Sequence, residues 1–487
     1  MSLHSLPSEM LMQVLQCVDT SRDLLALILA SKRCYQIFVR HPKAVFSGLL
    51  NNLLPGETLR HAVAAASLSP VTIARQKPTE KDRAILARYF QDEAIPLPSD
   101  KASLVSIYRL YSAVSRHAIR YFGAALRRLY GKDSEALVGQ SQPSASERAR
   151  LYRAFFRYEL CCRALVYACC WDPRQTVQDL FDAVFAHLTP WETEEISCVL
   201  VFVATVYDRL VDSLTDELEK AILAVPDIRI PDPAGTSAPP PPPPSESGTP
   251  GSRWVCFDDI ELCRFGVFTE AGPWRAREEI LGIAGRGLIL LDQILRSSPK
   301  RRRYLVHSHI FPWLVSIPDI LVGTRLHGPR IETPARMDDA QIRQPNLGWL
   351  ALRDEPGEFY HGWSQPFQPA SYQNANLRRR AWVFLDSWRM DREEVRHQLE
   401  MAQRFQVADH DDHLIYGILR DRHRTPFLKQ RLAGVWIRKE SLDRIIREFG
   451  GRPCDDPDRE EAARVSVRNR VAPLLQMLAA EGIIPRP

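Results

Sequence analysis

The sequence predicts an all-α protein: a three-helix N-terminal unit, then a multi-helix domain interrupted by a disordered proline-rich insertion and a long aromatic loop. Two patterns support this fold class. Apolar residues recur at helical spacing through most of the chain, and the alternation typical of half-buried strands is scarce. Composition agrees, since 45% hydrophobic and 25% charged residues are ordinary for a folded protein. A length of 487 residues suggests roughly two to four domains.

The first predicted helix begins at Leu6-Pro7. Proline suits a helix start because its missing N–H costs nothing there, and Glu9 complements the positive end of the helix dipole. Leu11, Val14 and Leu15 then continue as one apolar stripe that ends at Val18.

Two more short helices follow the first. Asp23 is expected to cap a helix that carries Leu24, Leu27 and Ile28, and Ser31 to start another with Cys34, Tyr35 and Phe38 on one side. A unit of about forty residues cannot bury this many large aliphatic side chains by itself. Some are therefore expected to face another surface, either the rest of this chain or a partner protein.

This N-terminal pattern resembles an F-box. The matching features occur in order: Leu6-Pro7, Glu9, the stripe from Leu11 to Val18, Asp23-Leu24, Ser31-Lys32 and Tyr35. The resemblance implies docking to the Skp adaptor of SCF ubiquitin ligases, and through it to a cullin, while the rest of the chain selects a protein substrate. The implied adaptor-binding residues are Leu6, Pro7, Leu11, Val14, Leu15, Leu24, Leu27 and Tyr35.

After this F-box, at 1–50, a helical domain is predicted at 51–230. Its helices run from Glu57 to Leu68, Thr79 to Phe90 and Leu104 to Leu129. Two later helices begin with capping-box spacing, one at Ser144 with Glu147 and a central, mostly buried one at Thr189 with Glu192.

A disordered linker is predicted at 231–252, because no large apolar side chain is present to offset its ordering entropy. Its six prolines, Pro239 to Pro244, are read as a spacer, although such a tract can also dock an SH3, WW or profilin-like groove.

The region 253–487 is predicted to be helical again. It contains a Pro/Gly-rich aromatic loop at about 328–372, where a long loop with many aromatics points to recognition. Trp349, Tyr360 and Trp363 in this loop are the predicted substrate-binding residues, whereas Trp382, Phe384 and Trp388 are predicted to be core. The helices expected here run over Glu278–Leu295, Tyr304–Val322, Arg392–Phe405, Leu428–Phe449 and Asp458–Leu478.

Three further segments resemble a recurring core of fungal F-box-like proteins. They are Glu147-Arg148-Ala149-Arg150 with Arg153-Ala154-Phe155, Pro190-Trp191-Glu192-Thr193-Glu194-Glu195-Ile196, and Leu377-Arg378-Arg379-Arg380-Ala381-Trp382-Val383-Phe384-Leu385-Asp386.

No segment predicts catalysis, so the chain is not expected to be an enzyme or to bind a cofactor or metal. The pairs Cys161-Cys162 and Cys169-Cys170 fit a buried apolar stripe better than a metal site. Asp409 to His413 fits a solvated helix start, although a metal-dependent enzyme built on it is the alternative. Gly282, Gly285 and Gly287 follow no strand, as a dinucleotide loop would require, and Lys300 to Arg303 fits an exposed turn.

The expected setting is cytoplasmic or nuclear. A net charge of +5 over this length is slight and predicts no nucleic-acid binding, and ten cysteines do not form a disulfide scaffold. Glu9 interrupts the only candidate signal segment, and no apolar run is long enough to span a membrane.

The predicted function is substrate recognition in an SCF-type ubiquitin ligase. Two alternatives remain open: an F-box protein that acts outside ubiquitination, and a non-enzymatic helical scaffold that uses the proline tract.

Overall fold

The fold was derived from a computed structural model that describes residues 6–54, 56–68, 79–91, 93–131, 142–168, 188–226, 228–230, 254–257, 280, 282–309, 375–404 and 431–449. These residues are predominantly helical, which confirms the all-α fold class. The proline-rich linker, the aromatic loop, the segment Asp409–His413 and the last predicted helix lie outside them.

Within the described residues, nine helices precede the linker: α1 (Ser8–Gln16), α2 (Ser21–Ala30), α3 (Lys32–Arg40), α4 (Pro42–Leu53), α5 (Glu57–Ser67), α6 (Glu80–Phe90), α7 (Lys101–Tyr130), α8 (Ala145–Ala168) and α9 (Pro190–Leu223). The described elements after it are β1 (Trp254–Cys256), α10 (Leu288–Arg296), α11 (Pro299–His309), α12 (Ala375–Arg378), a 3₁₀ turn (Trp382–Phe384), α13 (Ser387–Met390), α14 (Glu393–Arg404), β2 (Trp436–Arg438) and α15 (Lys439–Glu448).

Helices α1 to α4 form the N-terminal bundle, and the first three were predicted. Ser31 caps α3 as expected, because its Oγ accepts from the Cys34 N–H at 3.4 Å. The expected cap of α2 was wrong: Thr20 is the N-cap and accepts from the Asp23 N–H at 3.0 Å. Asp23 lies one turn further in, where its carboxylate accepts from the Thr20 hydroxyl.

Helix α4 joins this bundle and crosses the boundary predicted at residue 50. It packs on α1 at backbone distance, since a Cβ added to Gly48 would lie 2.8 Å from the Cα of Gln16. The Asn52 amide also donates to the Gln16 carbonyl at 2.8 Å, at the C-terminal end of α1. On its other side, Leu53 and Phe46 pack against both the bundle core and the larger core behind it.

The larger core, here called the main body, draws on both sides of the linker. Buried side chains of α5, α7, α8 and α9 share one cluster with those of α10, α14 and α15. The strands reinforce this arrangement, because β1 pairs antiparallel with β2 and Arg229 bridges to Trp436. The predicted segments 51–230 and 253–487 therefore meet in a single core.

Most predicted helices of the main body are present, and the capping box at the start of α8 is confirmed. The Ser144 N–H donates to Glu147 Oε2 at 2.9 Å, and the Glu147 N–H donates to Ser144 Oγ at 3.1 Å. At α9 the Thr189 N–H likewise donates to Glu192. None of the described helices is long and apolar enough to span a membrane.

Three expectations were wrong. The helix predicted from Glu278 breaks at Gly287, whose φ of 89° lies in the left-handed half of backbone space. The helix predicted over Leu428–Phe449 is replaced over Trp436–Arg438 by strand β2, where the β-branched Ile437 packs into the core. Trp382 and Phe384 are buried as predicted, but Trp388 is 41% exposed, and the guanidinium groups of Arg389 and Arg392 lie over its ring.

Candidate partner-binding surface and buried ionic network

The N-terminal bundle exposes several large apolar side chains. Of the ten large hydrophobic side chains that are exposed among the described residues, five belong to α1, α2 and α3. Leu25 and Leu29 lie one turn apart on α2 and are 56% and 77% exposed, and Tyr35 and Val39 are spaced in the same way on α3. Met10 on α1 is also exposed. We call these five residues the apolar face.

The residues predicted to bind the adaptor divide between the surface and the interior. Pro7 and Tyr35 are exposed, and Leu6, Val14 and Leu27 are partly buried. Leu11, Leu15 and Leu24 fill the core of the bundle.

Because buried side chains cannot make direct contact with a partner, the predicted contact role of Leu11, Leu15 and Leu24 does not fit this structure. They shape the bundle from inside. Sequence reasoning missed Met10, Leu25, Leu29 and Val39, although their helical positions outside the inward stripe were a usable signal.

A second notable site is buried in the main body, where the three segments that resemble fungal F-box-like proteins meet. Helix α8 contributes Glu147, Arg150, Arg153 and Arg157, which recur at intervals of three or four residues and so share one face. Helix α9 contributes three carboxylates, and the stretch from α12 to α13 contributes one carboxylate and two arginines. These residues are Glu192, Glu194 and Glu195, and Asp386, Arg378 and Arg389.

Five ion pairs join these segments. Arg378 binds Glu194 through two contacts of 2.7 and 2.8 Å, and Trp382 Nε1 donates to the same carboxylate at 3.3 Å. The other four pairs are Arg389 with Glu147 at 2.8 Å, Arg157 with Glu192 at 2.6 Å, Arg150 with Asp386, and Arg153 with Glu195.

This network is electrically balanced, because each of its five arginines faces a carboxylate. Further donors complete it: the Ser146 hydroxyl donates to Asp386 at 2.8 Å, and the Asp386 N–H donates to Glu147 at 3.0 Å. A fully compensated buried network has no surplus charge for a ligand. Its physical effect is to fix the position of the segment 375–390 against α8 and α9.

The carboxylates of the network titrate unequally. Burial raises the pKa of Glu147, Glu194 and Glu195 even though each faces an arginine. Burial also acts to raise the pKa of Glu192, but Arg157, Arg153 and the Thr189 N–H outweigh it, so that pKa is lowered.

The buried cysteines of the described residues are packing residues. Cys162 is buried on the apolar stripe of α8, as predicted, and burial raises the pKa of the neighbouring Cys161 to about 12. A thiol with so high a pKa stays protonated at neutral pH and is a poor nucleophile. Cys169 and Cys170 lie outside the described residues, among which no group of metal ligands occurs.

Two other predicted sites have different outcomes. In the basic run at α11, Arg302 donates to the carbonyls that end α10, and Arg303 binds Glu217 at 3.1 Å and lies over Phe449. Half of that run is therefore structural. The predicted substrate-binding residues Trp349, Tyr360 and Trp363 lie outside the described residues and stay predictions.

Comparison with protein-family models, curated proteins and solved structures finds no match to this chain. Function is therefore inferred from its residues and their geometry.

Proposed function

We propose that this chain is the substrate-recognition subunit of an SCF-type ubiquitin ligase, and that its N-terminal bundle binds the Skp adaptor and, through it, a cullin. The apolar face is the observation that supports this proposal. A bundle with its own filled core still exposes five large apolar side chains on three short helices. Exposed apolar groups that cluster in this way mark protein interaction sites.

The contact residues in this proposal are those of the apolar face, together with Leu6 and Pro7 at the start of α1. Leu11, Leu15 and Leu24 act indirectly, because their burial holds the helices at the spacing that the face requires. The main body carries the substrate, and its ionic network keeps that part rigid. Ubiquitin transfer is performed by the cullin-bound partners, so the chain needs no catalytic residue.

The direct test exchanges exposed leucines for acids. A Leu25→Glu, Leu29→Glu variant should weaken adaptor binding at least about 100-fold, because burying a leucine stabilises a complex by roughly 1.5–3 kcal/mol and 1.4 kcal/mol is tenfold in affinity. Isothermal titration of the full chain with purified Skp adaptor measures this. Both side chains are exposed, so the variant should remain folded.

A matched control changes exposed apolar residues of the main body. The Ile119→Glu, Leu223→Glu variant alters the same kind of side chain on α7 and α9 and should bind the adaptor normally. Equal affinity of both variants would refute the proposed docking surface. Co-purification of a cullin with the wild-type chain then separates a ligase subunit from an F-box protein that acts outside ubiquitination.

A further inference from the structure

Four arginines from three parts of the fold interact at the edge of the ionic network, where the charges of the other three act on Arg128. Arg128 is in the last turn of α7, Arg209 is on α9, and Arg379 and Arg380 occupy the turn that follows α12. The Arg128 guanidinium reaches this turn directly, since its Nη1 lies 3.3 Å from the Arg379 carbonyl oxygen. We call these four residues the arginine cluster.

The arginine cluster differs from the ionic network in its counter-charges. Arg378, one residue before it, is buried against the Glu194 carboxylate. In contrast, Arg128, Arg209 and Arg380 form no ion pair with any carboxylate in the described part of the chain. Arg128 donates only to backbone carbonyls, and Arg380 Nη1 donates to the Asn376 carbonyl at 3.0 Å.

Three of these four guanidinium groups are also partly removed from water, whereas Arg209 is exposed. Arg128, Arg379 and Arg380 are half-buried, and the Nε atom of Arg380 is buried without a hydrogen-bond acceptor in the described part of the chain. Burial lowers the pKa of Arg128, and the charges of Arg379, Arg209 and Arg380 lower it further. The pKa of Arg380 is lowered by burial and then by Arg379.

Repulsion of this kind destabilises the folded chain unless an anion relieves it, and strained electrostatics of this kind are typical of binding sites. A purely solvated basic surface would not shut a donor such as Arg380 Nε away from water. One carboxylate would leave most of the positive charge of Arg128, Arg209 and Arg380 uncompensated. A phosphate ester carries about −1.5 to −2 charges and three acceptor oxygens, and it matches the planar fork of arginine.

We infer that the arginine cluster binds a phosphate group, carried either by a soluble polyphosphate or by a phosphorylated partner protein. This site is distinct from the apolar face, so it does not depend on adaptor binding. It would take an anionic ligand at the junction of α7, α9 and the turn 379–381.

The test uses the full chain and an Arg128→Gln, Arg380→Gln variant. Thermal melting is followed in inorganic phosphate and in chloride at the same ionic strength, and inositol hexakisphosphate is titrated calorimetrically. Phosphate should raise the melting temperature of the wild type by about 2 °C or more, because a ligand that binds only the folded state stabilises it. The variant should lose this response and bind the polyphosphate at least tenfold more weakly.

In chloride the same variant should melt higher than the wild type, since it removes repulsion. This gain separates a ligand site from a structural role, for which the loss of two arginines would lower the melting temperature. Arg127→Gln is the matched control, an exposed arginine adjacent to Arg128 whose removal should leave the phosphate response unchanged. The single Arg380→Gln variant repeats the test if the double variant does not fold.

Absence of a phosphate response in the wild type, or an equal response in the variant, would overturn the inference. The source of the phosphate is resolved with immobilised full chain and paired peptide libraries that differ only in phosphoserine. Preference for the phosphorylated library assigns the site to a partner protein, and binding of the polyphosphate alone assigns it to a soluble ligand. Equal binding of both libraries without polyphosphate binding would also overturn the inference.

Discussion

The N-terminal bundle and the main body differ in which side chains they bury and which they expose. Within the described residues the bundle buries no charged side chain, and Ser31 is its only buried polar residue. The bundle nevertheless carries five of the ten large apolar side chains that are exposed among the described residues. The main body covers its apolar side chains better and buries several pairs of opposite charges instead.

Under the proposed function, this difference separates a docking unit from a scaffold. An apolar core is tolerant, since any side chain of suitable size fills it, so a small bundle can keep its fold while its outer face is adapted to a partner. Buried ion pairs are directional and are costly when mismatched. In the main body they join segments that lie more than 180 positions apart, such as Arg378 and Glu194.

The strongest way to break this contrast is to remove one charge from the network. Arg378→Met leaves the Glu194 carboxylate buried without its cation, and we expect the free energy of unfolding to fall by about 3–5 kcal/mol. Denaturant titration of the variant measures it. A double Arg378→Met, Glu194→Met variant should regain much of this loss.

The matched control is an exposed ion pair. Glu80 and Arg83 lie 3.8 Å apart on α6 with their side chains largely in water, so Glu80→Gln should leave the midpoint unchanged. If Arg378→Met were as harmless as this control, the network would not hold the segment 375–390.

Most helices were predictable because their signals are local. The stripe from Leu11 to Val18, the Ser31 cap and the capping box at Ser144 each depend on residues within one or two turns. The partners of the network were not predictable, because Arg150 and Asp386 meet only through the tertiary fold. The sequence marked both segments by resemblance but showed no reason for them to be adjacent.

The failures of sequence reasoning also have physical causes. Strand β2 was missed because three residues are too few for alternation to show, and its pairing partner lies far away at Trp254. The apolar face was missed because the predicted contact residues were taken from the apolar stripe, and the structure buries most of that stripe inside the bundle. Trp388 was assigned to the core because it lies next to helical segments, but its ring is 41% exposed and stacks with the Arg389 guanidinium instead.

A second prediction tests the close contact between α8 and the start of α10. Gly287 has φ 89°, and an added Cβ would lie 2.5 Å from Glu159 Oε2, which accepts the Leu288 N–H at 2.6 Å. Gly287→Ala should lower the free energy of unfolding by about 2–4 kcal/mol, through backbone strain and displacement of that carboxylate.

Gly131 provides the control for backbone strain alone. It has a similar conformation, with φ 81° and ψ 166°, but no atom of the described residues lies within 4 Å of an added Cβ. Gly131→Ala should therefore cost only about 1–3 kcal/mol in chemical denaturation. If both variants lost the same free energy of unfolding, the Glu159 carboxylate would move away from the added Cβ at no cost in stability.

A third prediction concerns pH. His117 is buried on α7, neither ring nitrogen has a hydrogen-bond partner in the described part of the chain, and Asp292 Oδ1 lies 3.9 Å from Nε2. Burial lowers its pKa from 6.5 to about 4 despite Asp292, and the charges of Arg120 and Arg116 contribute to this lowering. Between these values the folded state binds fewer protons than the unfolded state, so the stability that His117 provides is lost as the pH falls from 6.5 towards 4.

His117→Phe should remove this pH dependence. The difference in unfolding free energy between pH 7 and pH 5 should shrink by about 2 kcal/mol, because one pKa unit corresponds to 1.36 kcal/mol. Urea titrations at the two pH values measure the change. An unaltered pH profile would mean that His117 becomes protonated in the folded state without difficulty.

The smallest expected effect on stability belongs to the apolar face. Leu25→Ser, Leu29→Ser changes two side chains that are largely in water, so the free energy of unfolding should stay within about 0.5 kcal/mol of the wild type. Leu15→Ala, inside the same bundle, should cost about 2–5 kcal/mol because it opens a cavity in a packed core. In a docking unit, the free energy of unfolding should not depend on the outer leucines, whereas the affinity for the adaptor should. If the serine variant instead unfolds the bundle, those leucines stabilise the isolated chain, and the separation of docking face from core does not hold.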